Sequence, residues 1–198
     1  MIKAFFKNLH AAFETLIFLR SGVERFNPSV KSAWLSMLIM VSMTPVMFFS
    51  VSISPPLGTE DIDSNYLAMI MIFKNYTAFA IYAAIMYSFA RLTDQLKGFP
   101  LMITASNWGG LLFAIISAPV LYLFWIEAIT RQTLEDVFIW VMVYQYAVSA
   151  FVIWRCYPKL PWELAAAIAI GSMFIGETVH DTVFALFDIP IVDYFDVY

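Results

Sequence analysis

Glu177, His180 and Asp181 stand at i, i+3 and i+4, which puts all three on one face of a helix. Glu-x-x-His is a ligand spacing of di-metal bundles, but such a centre takes a second copy of the motif and further carboxylates from neighbouring helices. The only other histidine, His10, lies at the far end of the chain. No metal site is expected, and the three residues read as the polar end of an apolar helix. Lys74 is the more informative residue, because it stands inside a long apolar run. A charge in hydrocarbon costs on the order of 3 kcal/mol or more unless it meets a partner or water. Glu177 stands at a comparable depth from the same side, so Lys74 is expected to pair with Glu177, with Asn75 beside it. Such a pair either fixes helix register or lines a proton or substrate path; the alternative is that Lys74 snorkels outward and Glu177 sits at the interface. With Gln145 and Asn107, these are the polar residues inside the apolar segments. No Ser-His-Asp set, Gly-rich phosphate loop or Cys/His cluster is present. The chain is expected to be no enzyme and to carry no cofactor.

The elements that must position these residues follow from composition. Of 198 residues, 62 % are hydrophobic and 13 % charged, against roughly 45–50 % and 25 % in soluble domains. A soluble fold of this size could not hide so much apolar surface. The net charge of −4 argues against a nucleic-acid partner. One cysteine, Cys156, rules out an intramolecular disulfide. Five apolar stretches approach or exceed the roughly 20 residues that span a bilayer: about 33–53, 67–90, 101–126, 134–154 and 163–184. Helices are the expected form, since they satisfy their own backbone. The expected fold is an all-α polytopic transmembrane bundle of about five spans. Residues 1–30 form an interfacial helix and linker, 31–187 the bundle, and 188–198 an acidic tail.

Basic residues set the orientation. Lys3, Lys7, Arg20, Arg25, Lys31, Arg91, Lys97, Arg155 and Lys159 gather on one side, and Arg131 alone on the other. That other side collects Glu60, Asp61, Asp63, Glu127, Glu135, Asp136, Asp188, Asp193 and Asp196. The N-terminus is expected in the cytoplasm and the C-terminus in the periplasm of a bacterial inner membrane. Trp34, Trp125, Trp140, Trp154 and Trp162 fall near expected span ends, where indole rings prefer to sit.

The first 20 residues read as an amphipathic helix ended by Gly22. At 100° per residue, Ile2, Phe5, Phe6, Leu9, Phe13, Leu16 and Ile17 share one face, and Lys3, Lys7, His10 and Glu14 the opposite one. Such a helix would lie on the cytoplasmic leaflet with its lysines near anionic headgroups; the alternative is packing on the protein's own cytoplasmic side. Ser106, Gly110, Ala114 and Ala118 repeat every four residues, and Gly171 and Gly176 follow a similar small-residue pattern. Small residues let helix backbones approach closely. Packing within the chain is the expectation, with a homodimer or partner interface as the alternative. Pro45 and Pro119 are expected to weaken local helical bonding.

Phe18-Leu19-Arg20-Ser21-Gly22 through Arg25-Phe26 to Pro45, together with Asn107-Trp108 and Tyr144 to Arg155, resembles a group of uncharacterised bacterial inner-membrane proteins. In outline, five spans behind a cytoplasmic N-terminal segment also resemble the Yip-type membrane proteins. The resemblance implies an interaction or organising role in the membrane and supplies no catalytic residues. Yip-type proteins often carry a longer N-terminal segment that engages trafficking partners; here about 30 residues precede the first span. The leading expectation is a non-enzymatic accessory subunit or organiser, whose partners are the lipid bilayer and another membrane protein or a second copy of itself. The alternative is a small transporter or channel component using Lys74 and Glu177.

Overall fold

The computed structural model describes residues 2–56, 58–59 and 61–189. Glu60 and the acidic tail from residue 190 onward, Asp193 and Asp196 included, lie outside the described residues. The described residues form helices and no strand: α1 (Ile2–Leu16), α2 (Arg20–Arg25), α3 (Val30–Ser42), α4 (Thr44–Ile53), α5 (Ser64–Leu92), α6 (Gly98–Trp125), α7 (Arg131–Cys156) and α8 (Trp162–Leu186). Five stretches are long and apolar enough to cross a bilayer: Val30–Ile53, formed by α3 and α4 in succession, and then α5, α6, α7 and α8.

Four of the five spans start three residues before the apolar run that announces them, at 30, 64, 98 and 131 against 33, 67, 101 and 134. For three of these, capping supplies the extra turn. The Ser29 hydroxyl accepts from the Ser32 N–H (3.1 Å), the Asp63 carboxylate from Tyr66 (2.9 Å) and the Thr130 hydroxyl from Thr133 (3.2 Å). Hydropathy is blind to this polar first turn. The longer α7 also leaves Trp140 as its tenth residue, further from the helix end than its sequence position suggests. The break between α3 and α4 has a local cause. Pro45 has no N–H to give the Val41 carbonyl, and its ring crowds that carbonyl. The helix closes at Met43, whose N–H donates to Ile39 and Met40 (both 3.1 Å). Pro119 leaves α6 unbroken.

Four helices end alike without glycine. Phe18, Asp94, Glu127 and Asp188 have φ of 59°, 57°, 59° and 53°. The next N–H donates to the carbonyl five residues back in each case: Leu19 to Glu14, Gln95 to Ala90, Ala128 to Leu123 and Ile189 to Phe184. These are Schellman closures. The first of them corrects the expectation for Gly22. The N-terminal helix stops at Leu16, and Gly22 is buried inside α2.

The chain forms two compact units. Unit 1 comprises Met1–Met43 and Ile85–Gly171. Its centre is the first half of α6, where Met102, Ile103, Thr104, Ala105, Asn107, Trp108 and Gly109 are all buried. Around it pack α1, α3 and α7, with α2 against α1 and α7. Unit 2 comprises Thr44–Ala84 and the chain from Ser172 onward. Its core is made by Val51 of α4, Leu67, Ala68 and Ile70 of α5, and Val179, Val183 and Phe184 of α8.

Candidate functional site

In unit 1, α1 has three faces rather than two. The buried one carries Ala11, Ala12, Thr15 and Leu16. These are mostly small side chains, and they let α2 lie very close. A side-chain carbon on Gly22 would collide with the Thr15 backbone nitrogen and meet the Ala11 carbonyl oxygen at 2.8 Å. The phenylalanine face is turned out: Phe5, Phe6 and Phe13 are 46, 62 and 55 % exposed. Lys3 and Lys7, also exposed, form the third face. The helix is thus docked on its own protein and still offers an apolar aromatic surface.

Directed polar bonds hold this arrangement. Glu14, nearly buried, accepts from Arg25 Nε at 2.6 Å and stands 3.0 Å from His10 Nε2. The Arg25 guanidinium holds the Glu14 carboxyl below the ordinary carboxylate range, and Glu14 in turn raises Arg25. Glu24 is held low by Arg20 at 2.7 Å, with Arg155 of α7 at 3.1 Å. The Tyr144 hydroxyl of α7 donates to the Leu16 carbonyl at 2.6 Å, satisfying an acceptor in the last turn of α1. Phe18 sets its ring edge-on to Tyr144 and Phe151, with centroids 5.8 and 5.5 Å away, and Phe5 meets Trp108 at 5.2 Å. Trp108 is ten residues into α6 and Tyr144 twelve residues before the end of α7. These distances are about 15 and 18 Å along the helices. So α1 lies across α6 and α7 rather than beyond their ends. Asn107 of α6 donates to Ser36 Oγ of α3 at 2.9 Å, joining two spans by a buried bond.

The small-residue stripe of α6 does not serve as expected. Ser106 and Ala118 are exposed, Gly110 and Ala114 only half-buried, and no atom lies within 4 Å of where a Gly110 side chain would start. The same open space surrounds Gly171 and Gly176. Beyond Gly98 at its start, α6 buries the small residues Ala105, Gly109 and Ser117, on a neighbouring line. A four-residue repeat read from sequence cannot tell two adjacent stripes of one helix apart. The close approaches fall at Gly22 and at Gly98, which faces the Cys156 carbonyl oxygen.

In unit 2, Lys74 and Glu177 lie within electrostatic reach of each other, and Lys74, Glu177 and Asp181 all act on His180. Lys74 and Asn75 are half-buried; Glu177 is exposed. The expected contact pair is not formed: no ion pair within 4.0 Å joins Lys74 to Glu177 among the described residues. His180 stacks on Phe184, with centroids 4.0 Å apart. No group of three metal-ligating side chains occurs among the described residues. Gln145 is exposed on α7 and belongs to unit 1.

The residues that sequence reasoning missed are the partners in unit 1: Glu14 with Arg25, Glu24 with Arg155, Tyr144 with Leu16, and Ser36 with Asn107. The local signals were the i,i+4 pairs His10 with Glu14 and Arg20 with Glu24. The fold defines an all-helical protein with five span-length apolar helices, as an integral membrane protein requires. No protein-family model matches the chain, and no curated protein and no solved structure matches it either.

Proposed function

We propose that this chain is a non-enzymatic integral membrane protein, an accessory subunit or organiser of a membrane complex. The observation that carries the reading is the stripe of Ser106, Gly110, Ala114 and Ala118 on α6, exposed at its ends and half-buried at Gly110 and Ala114. Small residues left partly open gain little from lipid contact, whereas they let the backbone of another helix approach closely. Its occupant is a helix of another membrane protein or of a second copy. The positive-inside pattern orients the N-terminus to the cytoplasm and the C-terminus to the periplasm of a bacterial inner membrane. The aromatic face of α1 then lies against the cytoplasmic leaflet, with Lys3 and Lys7 toward anionic headgroups.

Native mass spectrometry of protein taken gently from its own membrane tests this reading. A stoichiometric membrane partner is expected; a lone monomer or a homo-oligomer would count against the accessory-subunit reading. Gly110→Leu is the accompanying variant. The first side-chain carbon added there meets no atom of a neighbouring element within 4 Å among the described residues, so the variant is expected to abolish association with little change in thermal stability.

A second reading is favoured by one observation, the half-buried Lys74 with Glu177 and His180 in electrostatic reach. Ionisable residues inside a span mark ion or proton paths in many transporters. Proton or solute flux in vesicles that Lys74→Met abolishes would favour this reading over the first.

A further inference from the structure

We propose that a cleft at the basic end of unit 1 binds the headgroup of an anionic phospholipid, of the kind that carries free hydroxyls beside its phosphodiester, as phosphatidylglycerol does. The cleft, about 650 Å³, opens where the α5–α6 connection meets the α7–α8 connection. Its floor is rigid. Gly98 abuts the Cys156 carbonyl oxygen so closely that no side chain fits between. Gln95 is buried and ties the two connections together: its Oε1 accepts from the Lys159 N–H at 2.9 Å, and its Nε2 donates to Thr93 at 3.2 Å. Tyr157 is fully buried, edge-on to Phe89 at 5.7 Å.

The rim supplies the recognition chemistry. Lys97 comes from one connection and Lys159 from the other, both exposed, with Leu96 and Pro158 as apolar wall. Two lysines on the rim of one cleft give it the charge complementary to a phosphate. Asp94 shares the rim. Its carboxylate would repel a dianionic phosphate monoester, and it would accept hydrogen bonds from the hydroxyls of a glycerol headgroup. That selects a hydroxylated diester.

The level in the membrane fits as well. Helices α6 and α7 have 28 and 26 residues, about 42 and 39 Å at 1.5 Å per residue. A hydrocarbon core is about 30 Å thick, so their ends reach the headgroup layer. Trp154 and Trp162 meet at this end with centroids 6.4 Å apart, as interfacial indoles do. The identity of the lipid source rests on the orientation proposed above, which turns this end to the cytoplasmic leaflet.

The test is native mass spectrometry of the full chain, delipidated in detergent and titrated with phosphatidylglycerol, phosphatidic acid, phosphatidylcholine and inorganic phosphate. One tightly held phosphatidylglycerol is expected, preferred about tenfold or more over phosphatidylcholine, and K97Q/K159Q is expected to weaken it by about tenfold or more. K3Q/K7Q, on α1, is expected to leave it unchanged. D94N keeps the left-handed turn, which asparagine tolerates, and is expected to erase the preference for phosphatidylglycerol over phosphatidic acid. Equal binding of phosphatidylglycerol and phosphatidylcholine, or indifference to K97Q/K159Q, would overturn the proposal. Displacement by millimolar inorganic phosphate would overturn it too, in favour of a free anion. Binding in detergent is indifferent to which side of the membrane the basic end faces. A topology reporter at the N-terminus tests orientation separately.

Discussion

Glu14 in unit 1 and Lys74 in unit 2 are both ionisable side chains drawn partly out of water, and the two regions treat them differently. Glu14 is met by the Arg25 guanidinium at 2.6 Å, which ties α1 to α2, and a separate cluster of Arg20, Glu24 and Arg155 ties α2 to α7. Lys74 acts on His180 and is acted on by Glu177, but forms no ion pair with Glu177 within 4.0 Å among the described residues. The first region uses charge to build structure. The second leaves charge unspent, as functional intramembrane groups are left. The contrast predicts opposite responses when side chains are altered in the two places.

The largest effect is expected at Gly22→Val. The obstacles to a side chain there are backbone atoms of α1, the Thr15 nitrogen and the Ala11 carbonyl oxygen, which cannot rotate away. Overpacking of this kind costs about 3 kcal/mol. Hydrogen exchange is expected to show residues 2–25 losing protection while α6 and α7 keep theirs. Unchanged protection would mean that α1 is not fastened through this contact.

Lys74→Met tests the other side of the comparison. With no ion pair to Glu177 among the described residues, removing the ammonium from a span is expected to stabilise the protein by about 1–2 kcal/mol, read from its unfolding midpoint. Exchanging the charges in Lys74→Glu/Glu177→Lys is expected to rescue neither single variant. A rescue would reveal a direct pair and erase the distinction between the two regions.

How much of this contrast the sequence shows follows the range of the physics involved. The five spans, the all-helical class and the gathering of basic residues are summed along the chain, so hydropathy and charge reveal them. Lys74 and Glu177 stand out because a charge in an apolar run is conspicuous. The docking of α1 is not legible in that way, since its buried face of Ala11, Ala12 and Thr15 is less apolar than the phenylalanine face it leaves outside. Sequence periodicity ranks faces by hydrophobicity, while close helix packing selects by size. The partners of Glu14 and Leu16 are 11 and 128 residues away. A charge or a hydroxyl names no partner at such separations, and any of several basic residues could have met Glu14.

Acidification sharpens the comparison further. The bond from Arg25 lowers the Glu14 carboxyl in the folded state. Its stabilising contribution is therefore complete above the ordinary carboxylate range and is lost as pH falls through the lowered folded value. Protection of residues 2–25 is expected to hold from neutral pH to about pH 5 and to weaken below about pH 4. In Glu14→Gln the protection is expected to be lower at neutral pH and to lack this acid step. An acid step that survives in Glu14→Gln would assign it to another carboxylate, with Glu24 the next to substitute.

The smallest effects come from one turn used in two ways. Phe18 and Asp188 both close a helix with positive φ, at 59° and 53°, and the following N–H in each donates five residues back at 2.9 Å. A side chain in this conformation costs roughly 1 kcal/mol relative to glycine. At Asp188, which is exposed, glycine relieves that cost with little packing to lose, and Asp188→Gly is expected to stabilise the protein by about 0.5–1 kcal/mol. At Phe18 the same substitution removes the ring from Tyr144 and Phe151. Two edge-on aromatic contacts, each worth about 0.5–1.5 kcal/mol, outweigh the backbone relief, so Phe18→Gly is expected to destabilise. The backbone geometry is the same in the two turns, so a difference in sign isolates what unit 1 adds: a strained position retained because its side chain holds α1 against α7. Equal signs would mean that the Phe18 ring contributes nothing to the docking.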